Sequence, residues 1–312
     1  MTIASIDIGT NTILMLIAEI TGDGRIRIIS DQQVIARLGE GVDHSGTITW
    51  DAFTRSERFL SSYVERARAH NVDLIRCTGT SALRDARNGD DFLDYMFQKL
   101  GIEIEILTGD EEAMWTYGGA ISGLLRPDAA YAVLDIGGGS TELTVGHGFR
   151  IDKRRSIDIG CVRMTEKLLH HVPPTDEEIS ILLSTIDGAL PTLPDFDPGD
   201  TTVVGVAGTV VTLASVELGL SAFDASKIAG FELTREMVQR RFSQFRAMTK
   251  EQLQDAMHID PGRADIILVG VALLKRFMEN RDISRIIVSE RGLRYGIVMR
   301  EWEHGLERPD MP

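Results

Sequence analysis

The sequence predicts an α/β protein built from two duplicated domains in tandem. Three observations carry this. Apolar residues recur with strand-like and helix-like spacing in alternation from end to end. A strand ending in Asp-Ile-Gly occurs twice, at Asp7 and again 128 positions on at Asp135, and each copy runs into a short polar turn. The 312 residues also exceed what one domain usually holds.

In the first half, residues 3–8, 13–20 and 25–29 read as strands. Thr21-Gly22-Asp23-Gly24-Arg25 separates the last two as a hairpin turn, where glycine supplies positive φ. Residues 49–69 read as a helix, with Thr49 as N-cap and Phe53, Phe59, Leu60, Tyr63 and Val64 as its apolar stripe. A strand at 74–77, helices at 81–86 and 91–100, a strand at 103–107 and a helix at 110–124 complete the half. The pattern then restarts with strands at 131–136, 141–145 and 149–157. Helices follow at 161–170 and 176–190, then a strand at 201–206 and a helix at 209–218. Further helices at 234–247, 250–257 and 262–280, a strand at 284–288 and a last helix at 293–305 end the chain. A repeat of this length is a duplicated domain, not a solenoid unit. Pro127, in Arg126-Pro-Asp-Ala, ends a helix and marks the joint. The expected domains are therefore 1–125 and 126–312, with the final helix free to pack back on the first.

Composition excludes several classes. Hydrophobic residues at 43 % and charged ones at 26 % describe a globular chain that can bury enough surface to offset its ordering entropy. The formal charge of −14 argues against a general nucleic-acid binder, which needs a broad basic face. The longest uncharged stretch, residues 201–216, is rich in Gly and Thr and shorter than the roughly 20 apolar residues of a membrane span. Cys77 and Cys161 are the 2 cysteines, which suggests packing thiols in a cytoplasmic protein rather than a disulfide framework.

The chemistry concentrates at the repeated turns. Glycine lets backbone approach a ligand closely, and successive N–H groups of such a turn can converge on an anion. Alone, Gly9-Thr10-Asn11-Thr12 is an ordinary hairpin turn. Its pairing with Gly137-Gly138-Gly139-Ser140-Thr141 in the second copy is a stronger signal, since two related turns facing a cleft would hold two ends of a phosphate chain. Asp7 and Asp135 sit where strand propensity disfavours Asp. Each is either a turn-capping residue or a Mg²⁺ ligand, direct or through water.

The ordered motifs Asp7-Ile-Gly-Thr-Asn-Thr, Arg37-Leu-Gly-Glu-Gly, Thr80-Ser-Ala-Leu-Arg-Asp-Ala, Gly109-Asp-Glu-Glu-Ala, Asp135-Ile-Gly-Gly-Gly-Ser-Thr-Glu-Leu, Gly205-Val-Ala-Gly-Thr and Gly292-Leu-Arg span nearly the whole chain. Together they resemble the Ppx/GppA phosphatase family of exopolyphosphatases and guanosine pentaphosphate phosphohydrolases, in its short two-domain form. The resemblance implies the actin-like, RNase H-like superfold of sugar kinases and heat-shock-70 ATPases. Each domain would then carry a mixed five-stranded sheet, with an interdomain cleft. It also implies Mg²⁺-dependent release of terminal phosphate from inorganic polyphosphate, with guanosine pentaphosphate as a second substrate, no nucleic-acid or membrane partner, and room for a homodimer.

The same resemblance distributes roles. Asp7, Gly9, Thr10, Asn11 and Thr12 match one phosphate loop, and Gly137, Gly138, Gly139, Ser140 and Thr141 the other. Asp135 and Glu142 match the acidic metal positions, and Glu112 matches the catalytic base. Without it, Asp110-Glu111-Glu112 reads as acidic charge favoured by a helix N-terminus. Neighbouring helical residues diverge by roughly 100°, so only one of the two glutamates can face a site. Arg84 is either a forked phosphate clamp or the partner of Asp85 or Asp90. Gly208 and Thr209 are expected to present a helix N-terminus to an anion or nucleotide.

Two positions depart from the family pattern. Leu14 stands where an Arg is frequent, and Tyr295 where Leu-Arg-Glu-Gly has its acid. Lys153-Arg154-Arg155 reads as a solvated basic run able to steer a polyanion, and His170-His171 as a poor metal pair. Two other classes compete with hydrolysis: an ATP-dependent kinase of the same superfold, supported by Gly205–Thr209, and a non-enzymatic guanosine tetraphosphate-binding regulator.

Overall fold

A computed structural model describes residues 1–22, 25–124, 126, 128–257 and 259–306. Asp23 and Gly24 of the expected hairpin turn, and Pro127 of the expected joint, lie outside the described residues. The chain divides into two units, Met1–Gly119 together with the C-terminal stretch from Gly292, and Ala120–Arg291.

In the first unit, β1 (Thr2–Ile8), β2 (Thr12–Ile20), β3 (Ile26–Ile35), β4 (Leu74–Gly79) and β5 (Ile104–Ile106) form a sheet in the order β3-β2-β1-β4-β5. The first three strands are antiparallel, and β4 and β5 run parallel to β1. This is the actin-like topology. Both faces of β1 are buried. Ala4, Ile6 and Ile8 join Ile13, Met15 and Ile17 in a core with Phe53, Leu60 and Tyr63 of helix Trp50–Ala69. On the other face Ile3, Leu16, Ala18 and Ile20 meet Tyr295 and Val298 of helix Leu293–Leu306.

The second unit repeats the plan with β6 (Ala130–Ile136), β7 (Thr141–His147), β8 (Arg150–Ile157), β9 (Thr201–Val206), β10 (Glu232–Thr234) and β11 (Arg285–Val288). Its order is β10-β11-β9-β6-β7-β8, so this sheet has six strands where five were expected. The extra strand, β10, pairs antiparallel with β11 over three residues, too short for alternation to register in sequence. Thr234 ends it and caps helix Arg235–Phe245 by accepting from the Met237 N–H. The helix expected at 262–280 starts at Ile267, behind a 3₁₀ turn at Pro261–Arg263.

The C-terminal helix is tied to the first unit by charge as well as by packing. Arg300 forks onto Glu105 of β5 at 3.0 and 2.7 Å, and Glu301 pairs with Arg76 of β4 at 3.0 Å. It also crosses helix Gly109–Ile121 at backbone contact: a Cβ on Gly296 would be driven into the Trp115 carbonyl. Gly296→Ala must therefore part the two helices and should cost about 1–3 kcal/mol, the usual range for overpacking. A urea titration will show a lowered midpoint at unchanged slope; an unmoved midpoint would mean that this contact is not a constraint.

Candidate active site

The first turn closes between β1 and β2, where the Gly9 N–H donates to the Thr12 carbonyl at 3.1 Å. The Arg37 motif folds onto it. The Thr10 carbonyl accepts from the Gly39 N–H at 2.8 Å, and the Asn11 carbonyl from the Ala36 and Arg37 N–H groups at 3.0 and 2.8 Å. In a trans peptide the carbonyl of one residue and the N–H of the next point opposite ways. Anchoring these two carbonyls therefore aims the Asn11 and Thr12 N–H groups to the other side. The Thr10, Asn11 and Thr12 side chains are all buried, and the Asn11 Nδ2 donates to Thr12 Oγ1 at 3.4 Å.

The second turn repeats this geometry 128 positions on: the Gly137 N–H donates to the Ser140 carbonyl at 3.0 Å. Its outward carbonyls are again taken, here by the start of helix Cys161–Leu168. Gly137 accepts from the Cys161 N–H at 2.9 Å, Gly138 from Val162 and Arg163 at 2.8 and 3.1 Å, and Gly139 from Arg163 Nε at 2.8 Å. The N–H groups of Gly138, Gly139 and Ser140 are thus aimed away from that helix, and backbone donors so directed suit an anion. Gly160 permits the approach, since a Cβ there would overlap the Gly138 carbonyl. Thr141 departs from expectation: its hydroxyl donates to the Ile159 carbonyl, so its proton holds structure and is not offered to phosphate. The Cys161 thiol donates to the Gly137 carbonyl at 3.2 Å, and burial pushes it up to about 11. Burial likewise pushes Cys77 up to about 12, so both act as packing groups.

Glu112 and Arg84 are brought together in the first unit. The parallel pairing of Ile8 with Gly79 places helix Ser81–Asp85 beside the first turn, and the Thr80 N–H donates to the Ile8 carbonyl at 3.3 Å. Arg84 Nη1 donates to the Leu107 carbonyl at 2.7 Å and to Glu112 Oε2 at 3.2 Å. The alternative partner Asp85 accepts instead from Ser81 Oγ at 3.1 Å. Helix Gly109–Ile121 also decides between the two glutamates. Glu111 turns back to cap, accepting from the Thr108 N–H at 2.9 Å and its hydroxyl at 2.8 Å, while Thr108 Oγ1 accepts from the Glu111 N–H at 3.2 Å. This is a capping box, and it leaves Glu112 to Arg84. The Thr-x-x-Glu spacing was the available sequence signal.

Asp135 and Glu142 are directly opposed in the β6–β7 register and so share a face. Glu142 is buried, and its Oε1 accepts from Ser156 Oγ at 2.6 Å. Two carboxylates side by side repel unless a cation or proton joins them. Among the described residues no group of three or more His, Cys, Asp or Glu could hold a metal ion. A two-carboxylate share still fits Mg²⁺, which prefers hard oxygen and fills its octahedron with waters and substrate phosphate oxygens.

The remaining candidates contribute less. Helix Ala207–Glu217 has no side-chain cap, so the Gly208 and Thr209 N–H groups belong to its unsatisfied first turn. The Thr209 hydroxyl is buried against Gly270, and the Arg263 guanidinium packs on Gly208. His171 bonds Glu178 at 2.9 Å. Among the described residues no helix is long and apolar enough to cross a membrane.

The Ppx/GppA phosphatase family matches residues 16–304. The chain is 35 % identical to exopolyphosphatase 2 of Mycobacterium tuberculosis, over 95 % of its own length and 97 % of that protein's. It is 30 % identical to a guanosine-5'-triphosphate,3'-diphosphate pyrophosphatase of Vibrio campbellii, over 95 % of its own length but 58 % of the relative's. The crystal structure of the Aquifex aeolicus Ppx/GppA family member superposes with a TM-score of 0.82 at 29 % identity, covering 100 % of this chain and 99 % of that one.

If the anchored carbonyls create the anion cradle, Gly160→Ala should tilt the second turn and raise KM for a phosphate substrate. A displacement near 1 Å can cost ~100-fold. The check is steady-state kinetics beside a melting curve; a melting loss with unchanged KM would separate the turn from binding.

Proposed function

Because the chain belongs to the Ppx/GppA phosphatase family, we propose that it is a hydrolase of phosphoanhydride bonds that releases terminal phosphate from inorganic polyphosphate. The observation that carries this is the near-complete match, 97 % of the relative's length, to an exopolyphosphatase. Guanosine pentaphosphate is the second substrate to test, since the chain spans only 58 % of the relative named for it.

In this reading the N–H groups of both turns bind phosphate oxygens. Glu112 accepts a proton from the attacking water at a carboxylate oxygen, and Arg84 keeps that carboxylate oriented through the 3.2 Å bond. Asp135 and Glu142 would hold Mg²⁺, which supplies charge neutralisation at the transferring phosphoryl group. Most of the rate gain comes from positioning and charge stabilisation, because the phosphoryl transition state is loose. No serine or cysteine nucleophile is needed. A kinase has less support, because the Thr209 hydroxyl at its best motif is packed inward.

Glu112→Gln should lower kcat by roughly 10²–10⁴ with KM nearly unchanged. Near-normal kcat in the folded variant would remove the base. Phosphate release from polyphosphate, guanosine pentaphosphate and ATP, each with and without Mg²⁺, tests the substrate. ATP-dependent labelling of an acceptor without polyphosphate breakdown would favour the kinase. Binding of guanosine tetraphosphate without any phosphate release would favour the regulator.

A further inference from the structure

An arginine stands behind each turn. In the second unit the contact is direct, since Arg163 Nε donates to the Gly139 carbonyl at 2.8 Å. In the first unit the arginine is Arg55, which lies outside every sequence motif. From helix Trp50–Ala69 its Nε donates to the Ala36 carbonyl at 2.5 Å, and its Nη2 to the Arg37 carbonyl at 3.0 Å. The exposed Glu40 shares Nη2 at a longer 3.4 Å.

The bonds run on in series. The peptide unit whose carbonyl is Ala36 carries the Arg37 N–H, and that N–H donates to the Asn11 carbonyl at 2.8 Å. The peptide unit whose carbonyl is Asn11 carries the Thr12 N–H. Because donor and acceptor of a trans peptide point opposite ways, the series leads straight from the guanidinium to that donor. Linked hydrogen bonds polarise one another, and a cation at the head strengthens every donor behind it. In the second unit a single peptide unit, Gly139 carbonyl to Ser140 N–H, links Arg163 to the matching donor.

The first unit's series also needs a holder. Leaving β3, the chain brings the N–H groups of Ala36, Arg37 and Gly39 onto two turn carbonyls. It does so with Arg37 at φ 50°, a left-handed conformation that a side chain disfavours. Such strain persists only where its surroundings over-determine it. The rigid fork of Arg55 fixes the carbonyls of two successive residues there, which the single point of a lysine ammonium does not match. Gly39 then packs so closely on Thr10 that a Cβ would overlap its methyl group.

We propose that Arg55 and Arg163 are equivalent positioning residues. Each is a fixed cation that directs and polarises one N–H of its turn through the intervening peptide units, two for Thr12 and one for Ser140. The ligand of those donors rests on the phosphohydrolase reading above; the hydrogen-bonded series does not.

Two measurements on the full chain test this. Affinity for tripolyphosphate is read by calorimetry in the Glu112→Gln background, where turnover is suppressed. Arg55→Met and Arg163→Met should each weaken it roughly tenfold or more, given that a displacement near 1 Å can cost ~100-fold. Arg55→Lys, which keeps the charge without the fork, should recover part of the loss and carries the comparison if Arg55→Met does not fold. Gly296→Ala, which loosens the first unit elsewhere, should leave the affinity as it is. Unchanged affinity in either arginine variant, or an equal loss in Gly296→Ala, would overturn the proposal. Amide hydrogen exchange is the second measurement. Arg55→Met should speed exchange at Ala36, Arg37 and Gly39 while the β1–β2 ladder keeps its protection; unchanged exchange at those three amides would show that Arg55 does not hold the segment. Absence of tripolyphosphate binding and of phosphate release by the unsubstituted protein would defeat the phosphohydrolase reading, while the exchange comparison would still decide the role of Arg55.

Discussion

The constraint on which the half-sites depend is the anchoring of carbonyls at two hairpin turns. A peptide plane cannot present its donor and its acceptor to the same side. Once Thr10 and Asn11 are bound by the 36–39 segment, and Gly137, Gly138 and Gly139 by the start of helix Cys161–Leu168, the following N–H groups are directed the other way. The two turns reach this state with different partners, a loop in one unit and a helix in the other. The common result is the donor direction, reached without a shared partner for the carbonyls.

Carboxylates are sorted by a similar economy of geometry. Glu111 and Glu112 are chemically identical neighbours, yet one closes a capping box with Thr108 and the other meets Arg84. A helix N-terminus stabilises any negative charge near it, so charge alone could not have separated them. Position N3 does, because only from there does a glutamate reach back to its N-cap. The Glu112–Arg84 pair then joins two elements distant in sequence, a short helix after β4 and the helix after β5, both in the first unit.

The duplicated units are not charge-symmetric. Glu142 stands opposite Asp135 where Leu14 stands opposite Asp7, and Arg294 and Tyr295 of the C-terminal helix both donate to Asp31. Buried charge makes these differences consequential, since each carboxylate in a low-dielectric row requires a defined partner. The C-terminal helix therefore does more than fill the first unit's outer face with Tyr295 and Val298, because it also supplies the cation that Asp31 requires.

Much of this was legible in the sequence. Alternating periodicity, the repeated Asp-Ile-Gly strand end and the glycine turns specify two copies of a β-hairpin-led α/β unit, because strand, turn and helix preferences are local. The motifs likewise point to Glu112, Asp135 and Glu142. Other features are set by distant partners, and no local pattern encodes them. Thr141 and Ser140 read alike as loop hydroxyls, but the carbonyl of Ile159 claims one of them. Arg84 had nearer carboxylates in sequence than the one it meets. Strand β10 exists only because β11 offers it an edge. The sequence by itself determined which residues can donate, accept and carry charge. The tertiary structure decided which of those groups are used up holding the chain together and which are turned toward a ligand, because a hydrogen bond has one direction and a buried charge needs a partner in space.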